Sequence, residues 1–166
     1  KYLAGAITYN DENKIEFTLD TDANGKTAKQ IYDIVLKYMS ELTQNEQNIA
    51  SRVALVNEAE HIIANTMDEW LVFSQSFISL DRTEFKYQLV ARISDNHLNL
   101  SLGRIIYNYE EGSSTGFKEP AEEVISDKIA LNKKQNDLAK IFGKVRKCTI
   151  DRKDQIFAEL AALVKQ

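Results

Sequence analysis

The stretch Thr83-Glu84-Phe85-Lys86-Tyr87-Gln88-Leu89-Val90-Ala91-Arg92-Ile93-Ser94 alternates with a period of two. Phe85, Tyr87, Leu89, Ala91 and Ile93 fall on one side, and Glu84, Lys86, Gln88, Val90 and Arg92 on the other. Successive side chains of a strand point to opposite faces, so the segment predicts a strand with one apolar and one mostly polar face. Antiparallel sheets tolerate that arrangement, because one face packs on the core while the other meets water. Working outward, Ser51–Asn57, Ala59–Thr66, Glu69–Gln75 and Leu98–Tyr109 read as further strands. Turns are expected at Asp68-Glu69, Asp81-Arg82 and Asp95-Asn96. Upstream, Ile15, Phe17 and Leu19 alternate with Glu16, Thr18 and Asp20 as one more strand.

The apolar face of such a sheet needs a cover. Thr27 with Gln30 three residues on has the form of a capping box, and Ile31, Ile34, Val35, Tyr38 and Leu42 recur at helical spacing behind it. A helix over 27–43 follows. Glu110–Glu119 reads as a Gly/Ser loop, Pro120 suits a first helical position, and helical character continues through Val124, Ile125, Ile129 and Leu138. Gly143 is expected to interrupt it, and Asp151 to cap a last helix carrying Ile156, Phe157, Leu160, Leu163 and Val164. The fold class is therefore α+β: an antiparallel sheet backed by helices, with a helical C-terminal extension. One domain spans 1–166, divided into a sheet-plus-helix core over 1–110, a loop over 111–119 and a helical part over 120–166.

The chain has 166 residues and a formal net charge of −4, with 25 acidic and 21 basic side chains. That balance argues against a general nucleic-acid or anionic-membrane binder, and no apolar run reaches the ~18 residues of a membrane span. Charge is divided unevenly, +6 over 128–166 and −10 over 1–127. Docking of the basic part onto the acidic part explains this more simply than a polyanion patch of Lys133, Lys134, Lys140, Lys144, Arg146 and Lys147. The single Cys148 reads as a small buried hydrophobe.

Chemical motifs are few. Asp20-Thr21-Asp22-Ala23-Asn24-Gly25 matches the first half of a calcium loop, in which alternate oxygen ligands and a glycine curl around the ion. The twelfth position is Ile31, where the motif calls for a bidentate Glu, and a polar turn accounts for the same residues. Asp20, Asp22 and Asn24 are nevertheless the one metal candidate, and calcium the one cofactor with any support. Gly25-Lys26-Thr27 resembles the tail of a phosphate loop, but Asp20 replaces its first glycine and would repel phosphate. Gly112-Ser113-Ser114-Thr115-Gly116 has the form of a nucleophile elbow, yet His61 and His97 both precede Ser114, against the chain order of that triad.

A series of stretches carries a resemblance over nearly the whole chain. They are Tyr2-Leu3-Ala4-Gly5-Ala6, Gly25-Lys26-Thr27, Trp70-Leu71-Val72-Phe73, Ser79-Leu80-Asp81-Arg82-Thr83, Ala130-Leu131-Asn132-Lys133-Lys134, and Gly143-Lys144-Val145-Arg146-Lys147 running into Thr149-Ile150-Asp151. In that order the chain resembles the DUF4468 family of uncharacterised proteins. The resemblance implies a curved antiparallel sheet backed by helices, like that of the TATA-box-binding protein (TBP). It also implies export by Bacteroides-type bacteria, so a sequence opening at Lys1 is expected to be mature protein with a signal peptide removed. It supplies no activity and no site residue, and it does not imply DNA binding, since a fold does not fix a function.

The functional expectation is a non-catalytic, extracytoplasmic (periplasmic, cell-surface or secreted) binding or interaction module. Lys86, Gln88 and Arg92 on the polar sheet face are its candidate ligand-binding residues, and a protein, peptide or glycan its expected partner. The alternative is a hydrolase-type enzyme whose carboxylates (Glu60, Asp68 or Asp81) converge only in the fold, which a pocket holding two carboxylates with raised pKa values would mark. An uncovered edge strand also offers pairing with a second copy, as a homo-oligomer.

Overall fold

A computed structural model describes residues 1–75, 80–110 and 112–166; Ser79 and Glu111, named above, lie outside them. Strands β1 (Glu16–Asp22), β2 (Arg52–Asn57), β3 (Ile62–Gln75), β4 (Leu80–Ser94), β5 (His97–Tyr109) and β6 (Phe117–Pro120) form one antiparallel sheet in the order β1-β5-β4-β3-β2. β6 continues along the edge of β5 beyond β1, pairing Ile106 with Pro120 and Tyr109 with Phe117.

Alternation in β4 holds throughout: Phe85, Tyr87, Leu89, Ala91 and Ile93 are buried. Helix α1 (Ala28–Leu42) covers this face with Ile31, Tyr32, Val35, Met39 and Leu42, and its capping box is complete, Thr27 and Gln30 each accepting from the other's backbone N–H. Beside it lies α3 (Phe142–Lys165), which touches both β3 and β1 and so spans the sheet. It is the expected C-terminal helix, and it helps to cover the sheet, burying Val145, Ile150, Ile156, Phe157, Leu160 and Val164.

Four local expectations are corrected. Ala59–Thr66 and Glu69–Gln75 are one strand, β3, with no turn at Asp68-Glu69; a register shift near Phe73 bends it instead. Asp81 and Arg82 are strand residues of β4, not a turn. The 111–119 loop gives way to β6, so Pro120 ends a strand, and beyond it the chain makes a 3-10 turn (Ala121–Glu123) and the single turn α2 (Asp127–Ala130) rather than a long helix. Finally, Gly143 and Asp151 lie inside α3. Gly143 is there for room: a Cβ would sit 2.7 Å from Cβ of Leu138.

The basic C-terminal part is held to the rest of the chain by specific polar contacts. Arg146 is fully buried, donating to the carbonyls of Tyr2, Leu3 and Ile125 and to Asp127 Oδ1 at 2.7 Å. Arg152 pairs with Glu69, Lys165 with Asp22, and Lys26 donates to the carbonyls of Val164 and Gln166 at the end of α3. With Arg146 internal, the six cations do not form one patch, while Arg146, Arg152 and Lys165 pair with carboxylates of the acidic part of the chain. Burial pushes the Cys148 thiol up, in keeping with a packed, unreactive role.

Candidate functional site

The opposite face of the sheet has no helix over it among the described residues. Its rows follow from strand register. Asp20, Asn99, Arg92, Ile62 and Asn57 form one, and Glu16, Gly103, Gln88, Thr66 and Arg52 another. Two irregularities turn part of this surface into a groove.

The first is a bulge in β5. Gln88 pairs with Gly103 and Lys86 with Ile106, so Arg104 and Ile105 together oppose Tyr87 alone. Arg104 takes a left-handed conformation at φ 52°, where a bulge usually places glycine. Holding a side chain there costs about 1–2 kcal/mol. The second is a hairpin at 8–16, where Asn10 organises the turn by accepting from the backbone N–H groups of Glu12 and Lys14, both at 3.0 Å. Glu122 Oε2 accepts from Ile15 N at 2.8 Å and ties the hairpin to the chain after β6.

Between hairpin and bulge lies a groove of ≈ 720 Å³, its floor made by Gln88, Val90 and Ser101 with Arg92 at one end and Ile106 and Pro120 at the other. Of the expected ligand-binding residues, Gln88 and Arg92 line it. Lys86 does not; it stands across from Asp68 in the β3–β4 pair. Arg104 and the Asn10–Lys14 hairpin were not among the sequence candidates. Their trace is in the alternation of β5, where apolar residues occupy positions 98, 100 and 102 and then change phase to 105 and 107. That phase slip is a bulge signature, with Arg104 at the slip.

The other sequence candidates are dispersed. Asp20 Oδ1 is 3.0 Å from both His97 Nε2 and Asn99 Nδ2, while Asp22 faces the Asn24 N–H and Lys165, and Asn24 donates to the Lys165 carbonyl. Asp20, Asp22 and Asn24 are thus committed to neighbours rather than turned to a common point. Among the described residues no three His, Cys, Asp or Glu gather where they would hold a metal ion. Asp81 accepts from the Tyr109 hydroxyl at 2.8 Å, and Glu60 follows β2 with its N–H on the Asn57 side chain. Asp68 has a carboxylate neighbour. Burial first, and then the carboxyl of Glu84 beside it, push Asp68 up to about 6, with the Lys86 ammonium acting the other way. Neither Asp68 nor Glu84 lines the groove. Next to them the Arg82 guanidinium stacks on the Trp70 ring, 3.7 Å from its centroid.

Comparison with known proteins places this geometry in a family. Residues 17–108 match the family described as "Domain of unknown function (DUF4468) with TBP-like fold". A crystal structure of a DUF4468 family protein from Bacteroides ovatus is 36% identical, aligns over 99% of this chain and 94% of its own, and superposes with a TM-score of 0.88. A TBP-like protein from Parabacteroides distasonis shares the fold at 15% identity, with 97% and 98% of the two chains covered and a TM-score of 0.75. No curated protein matches. With more than half of its length on the family model and a full-length structural relative at that identity, the chain belongs to the DUF4468 family.

Proposed function

We propose that the protein is a non-catalytic, extracytoplasmic binding module whose ligand lies in the groove between β4, the β5 bulge and the 8–16 hairpin. The observation that carries this reading is the pairing of an uncovered sheet face with a walled groove lined by polar groups. The groove-lining side chains include no Ser, Cys or Lys hydrogen-bonded to a His or carboxylate base. Residence outside the cytoplasm rests on the family resemblance. No helix among the described residues is long and apolar enough to cross a membrane.

Hydrogen-exchange mass spectrometry, with and without periplasmic extract of the host, tests the reading. Slowed exchange over 86–92 and 101–106 is expected. Slowing confined to β2 or α3 would place the binding surface elsewhere and overturn it.

The second reading is a hydrolase-type enzyme, and the observation favouring it is the Asp68–Glu84 pair, which joins two carboxylates and raises the pKa of one. A hydrolytic activity in purified protein that Asp68→Asn and Glu84→Gln each abolish, with folding intact, would give this reading precedence.

A further inference from the structure

We propose that β2 is a docking edge for a second copy of this chain, the two strands pairing antiparallel about a two-fold axis.

The two margins of the sheet are built differently. β1 starts beneath the 8–16 hairpin, with Glu16 N donating to the Thr8 carbonyl at 3.0 Å, and it carries Glu16, Asp20 and Asp22. Charges of that kind discourage a further strand from adding to an edge. At the other margin β2 pairs with β3 and has no strand beyond it among the described residues. It holds neither Pro nor Lys, and from Val53 to Asn57 it carries no charge. Leu55 is 49% exposed, Val56 56%, and Ile49 just upstream 37%. Of the six large apolar side chains exposed among the described residues, three therefore gather on this one margin. Leu55 is in register with Ala64 on the uncovered face, and Val56 with Ile63 on the core face. An added strand thus finds apolar contact on both sides of the sheet. The register shift at Ala54 twists β2 without placing a charge there.

Charge chooses the occupant. The Arg52 guanidinium, at the start of β2, makes no hydrogen bond, ion pair or ring contact among the described residues. Two carboxylates follow the end of the strand. Glu58 meets Lys29 at 3.8 Å with both side chains exposed, and the Glu60 carboxylate has no partner among the described residues. The edge is positive before its apolar centre and negative after it. An antiparallel copy sets each Arg52 against the acidic turn of the other chain, whereas a parallel one would bring like ends together. Pairing about Leu55 brings Arg52 opposite Glu58 of the second copy, once on each side of the axis. A contact of this kind is self-complementary and closes as a dimer. No residue of β2 lines the groove, so dimer contact and groove are separate surfaces.

Sedimentation velocity of the full chain, from low micromolar to near-millimolar concentration, tests this, with thermal unfolding as the control for folding. The mass is expected to rise from 18.9 kDa toward twice that value. Leu55→Lys and Val56→Lys are each expected to weaken the dimer about tenfold with Tm unchanged, since a two-fold contact feels every change twice. Arg52→Glu is expected to weaken it by a similar factor, and adding Glu58→Lys and Glu60→Lys to restore it. A chain that stays monomeric at the highest concentration overturns the proposal. A monomer whose 52–57 amides gain protection only when periplasmic extract is added overturns it too, and assigns the edge to a foreign strand. A dimer that both lysine variants leave intact places the contact elsewhere. Weakening by the lysine variants, with no effect of Arg52→Glu, overturns the two-fold pairing.

Discussion

The Nη2 of Arg152, near the middle of α3, lies 2.8 Å from Oε2 of Glu69 on β3, on the core side of the sheet. Glu69 is almost fully buried and accepts a second hydrogen bond, from the Tyr87 hydroxyl, through Oε1. Burial, and then the Glu69 charge, hold that hydroxyl well above its ordinary titration range, so Tyr87 stays a donor throughout the neutral range. The pair is an ionic link between the helical layer and the sheet, beside the buried Asn65–Met39 and Tyr107–Thr149 hydrogen bonds.

Removing one partner strands the other. Glu69→Gln leaves a largely buried guanidinium without its counter-ion, and a loss of about 3–5 kcal/mol is expected from urea unfolding. Glu69→Leu with Arg152→Met takes both charges out together and is expected to recover most of that loss. A single-variant cost under about 1 kcal/mol would show the pair to be solvated in solution.

Asp68 gives stability a pH dependence of defined sign. Its folded pKa is raised, so the native state holds the proton more tightly than the unfolded chain does. The stabilisation is complete below about pH 4 and is lost as pH rises through about 6. Asp68→Asn removes the carboxylate repulsion and is expected to stabilise the protein by about 1 kcal/mol at pH 7, a figure discounted for solvent screening. That advantage should vanish near pH 4. A difference independent of pH between pH 4 and 8 would show that neither burial nor Glu84 raises Asp68 in the fold.

Arg146 ties the N-terminal segment, the 125–127 turn and α3 into one corner. Arg146→Met removes a donor from the Tyr2, Leu3 and Ile125 carbonyls, of which Leu3 keeps the Ala6 N–H, and the charge partner from Asp127, so the expected cost is about 3–5 kcal/mol. Hydrogen exchange should show the first effect in residues 1–6. Unchanged protection there would mean that Tyr2, bonded through its hydroxyl to Asp151 at 2.6 Å, holds the segment by itself.

Gly143→Ala tests the close approach at the start of α3. Alanine favours a helix over glycine by about 1 kcal/mol, but the new methyl collides with Leu138. We expect a net destabilisation of about 1–2 kcal/mol, which Leu138→Ala does not relieve, because alanine keeps the Cβ that the new methyl meets. A stabilising single variant would show that Leu138 gives way freely.

Strong local patterns were legible in the sequence. The β4 alternation and the Thr27–Gln30 box each set a local element, and both appear as expected. Errors arose where tertiary context outweighed composition. Asp68 and Glu69 resemble a turn because two acids seldom sit inside a strand, yet Glu69 is held by Arg152, which lies 83 residues further on. Gly143 reads as a helix stop until Leu138 is seen against it. For the site, Gln88 and Arg92 were visible from alternation, while Arg104 was hidden by assuming unbroken alternation through β5. The hairpin wall depends on a contact between Ile15 and Glu122 that no local pattern encodes.

The placement of α3 also has a kinetic meaning. β1 finds its partner in β5, pairing Asp22 with His97, and the lid over both β1 and β3 comes from α3, more than 60 residues after β3. Whereas β2–β3, β3–β4 and β4–β5 are neighbours in sequence, these two contacts join distant segments, and pairings of that kind slow the search for the fold. A nascent chain stopped short of α3 would have Glu69 without its cation and an apolar sheet face covered by α1 alone. Folding of this sheet thus waits for α3, and until that helix is made the chain depends on whatever keeps exposed strands from associating.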